Sequence, residues 1–111
     1  MLCTEELIQS VWGKGAITAT NDPKYWRQDH CGAWISRSMY GCQRSPFGWE
    51  IGYIDSQLKK DGQKLFNLCP LQWKNNIHKQ DGDSVCILKA EGVENCKIVP
   101  MANMVTANDK N

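Results

Sequence analysis

The stretch of residues 47–79, FGWEIGYIDSQLKKDGQKLFNLCPLQWKNNIHK, constrains the fold of this 111-residue chain more than any other part. It predicts a strand over residues 49–54, followed by a polar connection rich in Lys, Asp and Gly. A short helix is then expected to begin at Asn67 and to carry Leu71, Trp73 and Asn76. The predicted order is strand, loop, helix.

Residues in and before this stretch resemble a known sequence pattern without any gap in spacing. The matching positions are Arg27, Asp29, Cys31-Gly32-Ala33-Trp34-Ile35, Tyr40-Gly41, Ser45, Phe47-Gly48-Trp49-Glu50-Ile51, Asn67-Leu68-Cys69-Pro70-Leu71-Gln72-Trp73, Asn75-Asn76 and Lys79. This pattern resembles the HNH endonuclease motif, the ββα-metal finger, and more narrowly the small single-domain HNH proteins of bacteria and phages. The resemblance extends over residues 11–79 and implies a ββα finger over residues 34–79, with its first strand beginning at Trp34 and Ile35.

The chain differs from the family pattern at the positions that carry the family's catalytic residues. Gly52 and Tyr53 stand where the family carries an Asp-His pair. The resemblance implies that this His acts as the general base and that this Asp binds the divalent metal. Glycine has no side chain to bind a metal, and an unperturbed tyrosine, with a pKa near 10, is a poor base at neutral pH. The chain is therefore interpreted as an HNH scaffold without its catalytic centre.

Two other family positions are retained. The resemblance implies that Asn67 orients the base and that Asn76 completes the metal site, although one amide oxygen makes a weak site. Tyr53 and Asn67 are thus the degenerate catalytic positions. No cofactor is expected unless the site is rebuilt in a non-standard way, with Tyr53 or His30 as the reacting group and Mg²⁺ held by Asp55 and Asn76. His78 is expected to be a poor replacement ligand because a helix turns it about 200° away from Asn76.

Positive charge concentrates on the HNH-like stretch. Residues 44–79 carry six basic and three acidic side chains, whereas residues 1–43 carry four of each and residues 80–111 carry three basic and five acidic ones. A phosphate backbone would lie where the basic excess is, although solvated lysines have the same composition. The candidate nucleic-acid-binding residues are Arg37, Arg44, Lys59, Lys60, Lys64, Lys74 and Lys79. Arg37 and Arg44 either contact phosphate or form surface ion pairs.

Six cysteines, at positions 3, 31, 42, 69, 86 and 96, raise the question of compartment. The start of the chain lacks a signal-peptide pattern, and no apolar run reaches the roughly 18 residues of a membrane span. A cytoplasmic location, no membrane partner and reduced, partly buried cysteines are therefore expected. A scattered metal site from His30, Cys31, Cys42 and Cys69 is the alternative.

The ends of the chain add one helix and one hairpin. Thr4, Glu5 and Glu6 followed by an apolar stripe predict a helix over residues 4–13. Strands are predicted over residues 84–90 and 95–101, with Cys86 and Cys96 close together if they pair, Pro100 near the end and a frayed tail over residues 105–111. The fold class is α+β in a single HNH-like domain. Its parts are residues 1–33 (helix and connection), 34–79 (finger) and 80–111 (hairpin and tail).

Three functions follow as hypotheses. The first is a catalytically inactive HNH-like protein that binds DNA or RNA without cleaving it. The second is a protein-binding inhibitor or adaptor on the same scaffold, for example an anti-defence protein of a phage or mobile element. The third is an active metal-dependent nuclease with a non-standard site. The first hypothesis predicts salt-sensitive binding of nucleic acid. The second predicts a protein that co-purifies with the chain, and the third predicts metal-dependent cleavage.

Overall fold

The structure is a computed structural model that describes residues 3–61 and 64–98. It is an α+β arrangement of antiparallel strand pairs and short helices. The elements are α1 (Glu5–Trp12), β1 (Trp26–Gln28), β2 (Trp34–Ser36), β3 (Trp49–Tyr53), β4 (Leu68–Gln72), α2 (Trp73–Ile77), β5 (Lys79–Gln80), β6 (Asp83–Ser84), β7 (Leu88–Glu91) and β8 (Glu94–Lys97). Short 3-10 turns lie at Arg37–Met39, Ser56–Asp61 and Leu65–Asn67.

The N-terminal helix forms where the sequence predicts it. The Thr4 hydroxyl accepts a hydrogen bond from the Leu7 amide at 3.1 Å, which satisfies one of the free amides at the helix start. Ile8, Val11 and Trp12 are buried on the inner face. The predicted α1 is therefore confirmed, and its apolar stripe packs on the core.

Large aromatic side chains dominate the core. Trp12 and Trp49 are fully buried with ring centroids 5.3 Å apart, and Tyr40 packs edge-on against Trp49 at 5.0 Å. Ile35 and Leu68 belong to the same buried cluster. Aromatic rings bury far more area than aliphatic side chains, so a few of them suffice for a core this small. The core lies between α1 and the β3–β4 pair.

The central hairpin differs from its prediction. Leu68–Gln72 is not helical but forms β4, antiparallel to β3 with Gly52 opposite Cys69 and Tyr53 opposite Leu68. The helix begins only at Trp73, after Gln72 caps it. All five residues of β4 are buried, and a strand buried on both faces has no alternation by which to recognise it.

The strand at Trp34 also has a different partner from the one expected. β2 pairs with β1, in the register Arg27 to Ile35, and not with β3. The strand–strand–helix unit therefore consists of β3, β4 and α2, and it begins at Trp49 rather than at Trp34. The sequence carries no local signal for the three-residue β1, because its pairing is a tertiary contact.

The C-terminal strands pair as a hairpin, with shorter bounds than predicted. β7 and β8 are joined by Gly92 and Val93, and Gly92 takes a φ of +64°, which favours glycine. The predicted ends at residues 99–101, including Pro100, and the tail at 105–111 lie outside the described residues. Within the described part, no helix combines the length and apolar character that crossing a bilayer requires.

Candidate functional site

Gly52 and Asn76 lie side by side where β3 meets α2. A Cβ placed on Gly52 would be 2.7 Å from Asn76 Oδ1 and 2.5 Å from Leu71 Cδ1. The two positions that the resemblance assigns to the metal site are therefore neighbours in space. The volume that an Asp side chain would need is filled by Leu71 and Asn76.

The Asn76 side chain is engaged in a polar network. Its Nδ2 donates to Glu50 Oε1 at 3.0 Å, and its Oδ1 accepts from the Ser84 hydroxyl at 3.4 Å. Gln43 donates to the other Glu50 oxygen at 2.9 Å, and Lys79 Nζ donates to the Ser84 hydroxyl at 2.9 Å. These contacts hold the amide between β3 and β6.

The donor set at this position does not fit a divalent cation. Mg²⁺ is held mainly by carboxylates, waters and substrate phosphates, and Gly52 supplies no oxygen from a side chain. Asp55, the alternative metal ligand, instead accepts from the Gln57 amide at 2.9 Å. Tyr53 packs half-buried against the core cluster.

Asn67 fixes the chain just after β3. Its side chain is 3 % exposed, its Oδ1 accepts from the Asp55 amide at 2.8 Å, and its Nδ2 donates to the Asp55 carbonyl at 3.0 Å. The Ile54 amide donates to the Asn67 carbonyl at 2.8 Å. Asn67 therefore clamps the backbone two residues after Tyr53, where the resemblance predicts a residue that orients the base.

A basic surface lies along α2. The Gln72 side chain caps the helix by accepting from the Lys74 amide at 2.7 Å, so Lys74 projects from the first turn. Its Nζ lies 5.3 Å from the centre of the Trp73 ring. Arg44 and Lys74 line one hollow of about 240 Å³.

A second hollow, of about 650 Å³, opens between α2 and the C-terminal hairpin and is lined by Lys74, His78 and Lys97. The two hollows share Trp73, Lys74 and Leu88, and together they are called the α2 groove. Among the described residues that line the groove, none is acidic. Lys97 was not predicted, because its sequence neighbourhood is acidic and only the folding of the hairpin brings it to α2.

Among the other predicted basic residues, those with described side chains do not line the groove. Arg37 forms an ion pair, the second of the two roles expected for it: its guanidinium pairs with the Glu5 carboxylate and donates to Gln9 Oε1 at 2.8 Å, leaving its side chain 19 % exposed. Lys64 is exposed on the connection before β4, and Lys79 is exposed at β5. The side chains of Lys59 and Lys60 lie outside the described part of the chain.

The cysteines provide a second cluster. Cys31 and Cys86 form a disulfide across 55 residues, with 5.5 Å between their Cα atoms. The expected reduced state is therefore wrong for Cys31 and Cys86. Cys96 lies opposite Lys89 in the hairpin and is a free thiol, so it forms no bond with Cys86. Of the predicted metal set, His30 and Cys31 lie together with Cys86, whereas Cys42 and Cys69 are free thiols.

Cys69 has the most protected of the free thiols. It is buried on β4, and this burial raises the pKa of the thiol above its ordinary value. The positive charge of Lys14 lowers this pKa to a smaller extent. The Lys14 ammonium donates hydrogen bonds to the carbonyl oxygens of Leu65, at 2.7 Å, and of Leu68. Cys69 is therefore expected to stay a neutral thiol.

Comparison with protein-family models, with curated proteins and with solved structures finds no match for this chain. The site offers three features: a clamped connection after β3, occupied space beside Gly52 and a basic groove along α2.

Proposed function

We propose that this chain is a catalytically inactive HNH-like module that binds nucleic acid along the α2 groove. The observation that carries the proposal is the joint lining of this groove by Arg44, Lys74 and Lys97, with no acidic residue among the described lining residues. Three cations on one concave surface attract a phosphate backbone, and binding releases its counterions.

The chemistry of the groove suits a nucleic acid in a second respect. The Trp73 ring lies beside the Lys74 ammonium, and Ile77, Ile87 and Leu88 give the groove apolar walls. Bases stack on aromatic faces while phosphates meet the cations. A single strand therefore makes better use of this groove than a duplex, whose bases are already stacked.

The absence of cleavage is proposed from the neighbouring site. Leu71 and Asn76 fill the space beside Gly52, and Asn76 is bonded to Glu50. Gly52 supplies no carboxylate, the nearby Glu50 carboxylate is engaged by Asn76 and Gln43, and no histidine stands at position 53 to activate water. Binding is therefore expected without hydrolysis.

The groove is tested by charge reversal. Fluorescence anisotropy of labelled single-stranded DNA, single-stranded RNA and duplex DNA is measured for the wild type and for the double variant Arg44→Glu, Lys74→Glu. We expect the affinity to fall more than about tenfold, and the slope of log K against log salt to shrink by about two, since two phosphate contacts are lost.

The matched control is the double variant Lys24→Glu, Lys89→Glu, which changes the charge equally. Both lysines are exposed, and neither lines the groove. If the control variant loses as much affinity as the groove variant, the loss is an effect of net charge alone. An unchanged affinity in the groove variant would refute the proposed surface.

In a separate assay, plasmid is incubated with the protein and Mg²⁺ or Mn²⁺ and is expected to stay uncut. Cleavage by the wild type that vanishes in Tyr53→Phe would make the protein a nuclease.

One observation favours a second function, that of a protein-binding inhibitor or adaptor. Ile54, Leu58, Leu65 and Phe66 are exposed apolar residues on the connection between β3 and β4, and Phe66 is 67 % exposed. Soluble proteins seldom expose several large apolar residues in one segment unless a partner covers them. Under this alternative, Phe66→Ser abolishes co-purification of a protein partner, and nucleic-acid binding is absent from the wild type.

A further inference from the structure

His30, Cys31 and Cys86 bring one imidazole and two sulfur atoms to one point. The Nε2 atom of His30 lies 3.7 Å from the Cys31 sulfur and 3.8 Å from the Cys86 sulfur. The three ligand atoms lie within 4.8 Å of one another. His30 is exposed and both cysteines are half-buried, so a solute ion has access.

These distances match those across a tetrahedral metal. With Zn–S of about 2.3 Å and Zn–N of about 2.05 Å, a nitrogen and a sulfur on the same zinc are about 3.6 Å apart. Both nitrogen–sulfur distances are already within a few tenths of an ångström of this value. For the ion to enter, the disulfide has to be reduced and the two sulfur atoms have to separate.

We propose that, when the disulfide is reduced, His30, Cys31 and Cys86 bind a zinc-class divalent cation. Thiolate and imidazole are the ligands that this class of ion prefers, and three protein ligands leave a fourth position for water. A cavity of about 310 Å³ lined by Lys14, His30, Ile54 and Cys69 adjoins the histidine.

The site stays assembled after reduction because other contacts hold its two halves. The Ala90 amide donates to the Gly32 carbonyl at 2.7 Å, and Asn95 Oδ1 accepts from the Trp34 amide at 2.6 Å. The segments that carry Cys31 and Cys86 are thereby tied together independently of the sulfur bond. The two thiols remain neighbours rather than separating into solvent.

Metal binding depends on the redox state of Cys31 and Cys86, because only the reduced thiols can bind the ion. A phosphine reductant gives two electrons to the disulfide, becomes a phosphine oxide with oxygen from water, and leaves two thiols. Each thiol loses its proton to the buffer as it binds the cation. In reverse, a peroxide takes two electrons from the thiolates, is reduced to water with two protons, restores the S–S bond and releases the ion.

The test uses the full chain reduced with a phosphine and titrated with Co²⁺, followed by Zn²⁺ competition against a chromophoric chelator. We expect one equivalent of metal, a cobalt–thiolate charge-transfer band, a higher Tm with Zn²⁺ and release of the ion by peroxide. Cys31→Ser and Cys86→Ser are expected to abolish the band. His30→Ala, at an exposed position that leaves the fold intact, is expected to lower the affinity at least about tenfold.

Cys42→Ser and Cys96→Ser are the matched controls, since both remove a thiol outside the cluster. The proposal is overturned if the reduced protein takes up no metal, if the unreduced protein takes up as much, or if His30→Ala binds as tightly as the wild type. It is also overturned if either control variant loses the site as completely as Cys31→Ser does.

Discussion

Asn75 and Asn76 are adjacent on α2 and have opposite surroundings. Asn75 is fully buried, and its Oδ1 accepts from the amides of Ile87 and Leu88 at 2.8 and 2.9 Å. Its Nδ2 donates to Asp29 Oδ2 and to the Leu88 carbonyl, both at 3.1 Å. One side chain thus joins α2 to the segment leading into β7, whereas Asn76 lies half-buried beside water.

Replacing Asn75 by alanine is therefore expected to be costly. The part-buried Ile87 and Leu88 amides would lose their acceptor and the buried Asp29 carboxylate would lose a donor, and each buried unsatisfied group costs about 1–3 kcal/mol. We expect the free energy of unfolding of Asn75→Ala to fall by at least about 2 kcal/mol in a urea titration. Asn76→Ala is the control, with an expected loss below about 1 kcal/mol because water replaces its partners. Equal losses for the two variants would refute the role assigned to Asn75.

Tyr40 gives a second prediction at the residue scale. Burial, and then its hydrogen bond with the Cys3 thiol, raise the pKa of Tyr40 to about 12. The folded state therefore favours the neutral phenol, and this contribution to stability is complete below the unfolded pKa of about 10 and is lost as the pH rises to about 12. The phenolate absorbance of the folded protein should show a late step that Tyr40→Phe lacks. A Tyr40→Phe protein with the same late step and the same alkaline stability profile as the wild type would contradict this assignment.

At the scale of elements, the start of β3 is set by a close approach of the backbone. A Cβ on Gly48 would overlap the carbonyl oxygen of Cys42 and lie 2.8 Å from its carbon. The Gly48 carbonyl accepts from the Trp73 amide at 3.0 Å, so the same residue also fixes the start of α2. Position 48 requires glycine for steric reasons, because the backbone atoms of Cys42 cannot move aside as the end of a flexible side chain can.

Gly48→Ala is accordingly expected to lower the free energy of unfolding by about 3 kcal/mol or more, at the upper end of overpacking effects. Gly13→Ala serves as the control. Its Cβ would lie 3.4 Å from the nearest atom at a helical φ of −61°, so a neutral to slightly stabilising change is expected. The stabilities of the two variants are compared by thermal unfolding. A Gly48→Ala protein as stable as Gly13→Ala would contradict the predicted overlap with Cys42.

The elements predicted correctly from the sequence are those with local signals. Thr4 with its following acids marks α1, and Gly92 marks the C-terminal hairpin. By contrast, the continuous burial that defines β4, including Pro70, comes from packing on both faces and has no period to detect. The ion-pair partner of Arg37 was not predictable for a similar reason, since Glu5 is 32 residues away. Contacts between distant segments were not predictable from local patterns.

The candidate site shows the same division between local and distant information. The sequence alone shows Gly52 and Tyr53 where the resemblance implies an Asp-His pair, and it also shows Asn67 and Asn76. The filling of the vacant volume by Leu71 and Asn76 required the fold. The same holds for the disulfide between Cys31 and Cys86, whose partners no spacing rule could pair.

For the whole molecule, the arrangement of β3, β4 and α2 is the feature that links scaffold to function. The antiparallel pair, the clamped connection at Asn67 and the helix that brings Asn76 beside Gly52 are the parts that an HNH-like site would need. The C-terminal hairpin then adds Lys97 to the groove along the helix. The candidate catalytic position beside Gly52 and the α2 groove thus lie on different faces of α2, and one can be changed without the other.

This separation predicts that a nuclease can be rebuilt by two substitutions. In Gly52→Asp, Tyr53→His, the new Cβ would lie 2.7 Å from Asn76 Oδ1 and 2.5 Å from Leu71 Cδ1. Leu71 would have to shift and the amide to turn away from Glu50, at a cost of about 1–3 kcal/mol in stability. The new carboxylate and the freed amide oxygen then form a metal site, with the new imidazole next to it as general base. We expect Mg²⁺- or Mn²⁺-dependent nicking of plasmid that the wild type and both single variants lack.

The controls separate metal binding from cleavage. Adding Asn76→Ala to the double variant should reduce metal affinity, measured by calorimetry, and nicking by at least about tenfold, because one of the new ligands is gone. Adding Arg44→Glu and Lys74→Glu should weaken nucleic-acid binding but leave metal affinity unchanged, since the groove lies on the other face. A double variant that folds, binds nucleic acid and takes up no metal would show that β3, β4 and α2 do not form an HNH-like scaffold, while the groove would remain a binding surface.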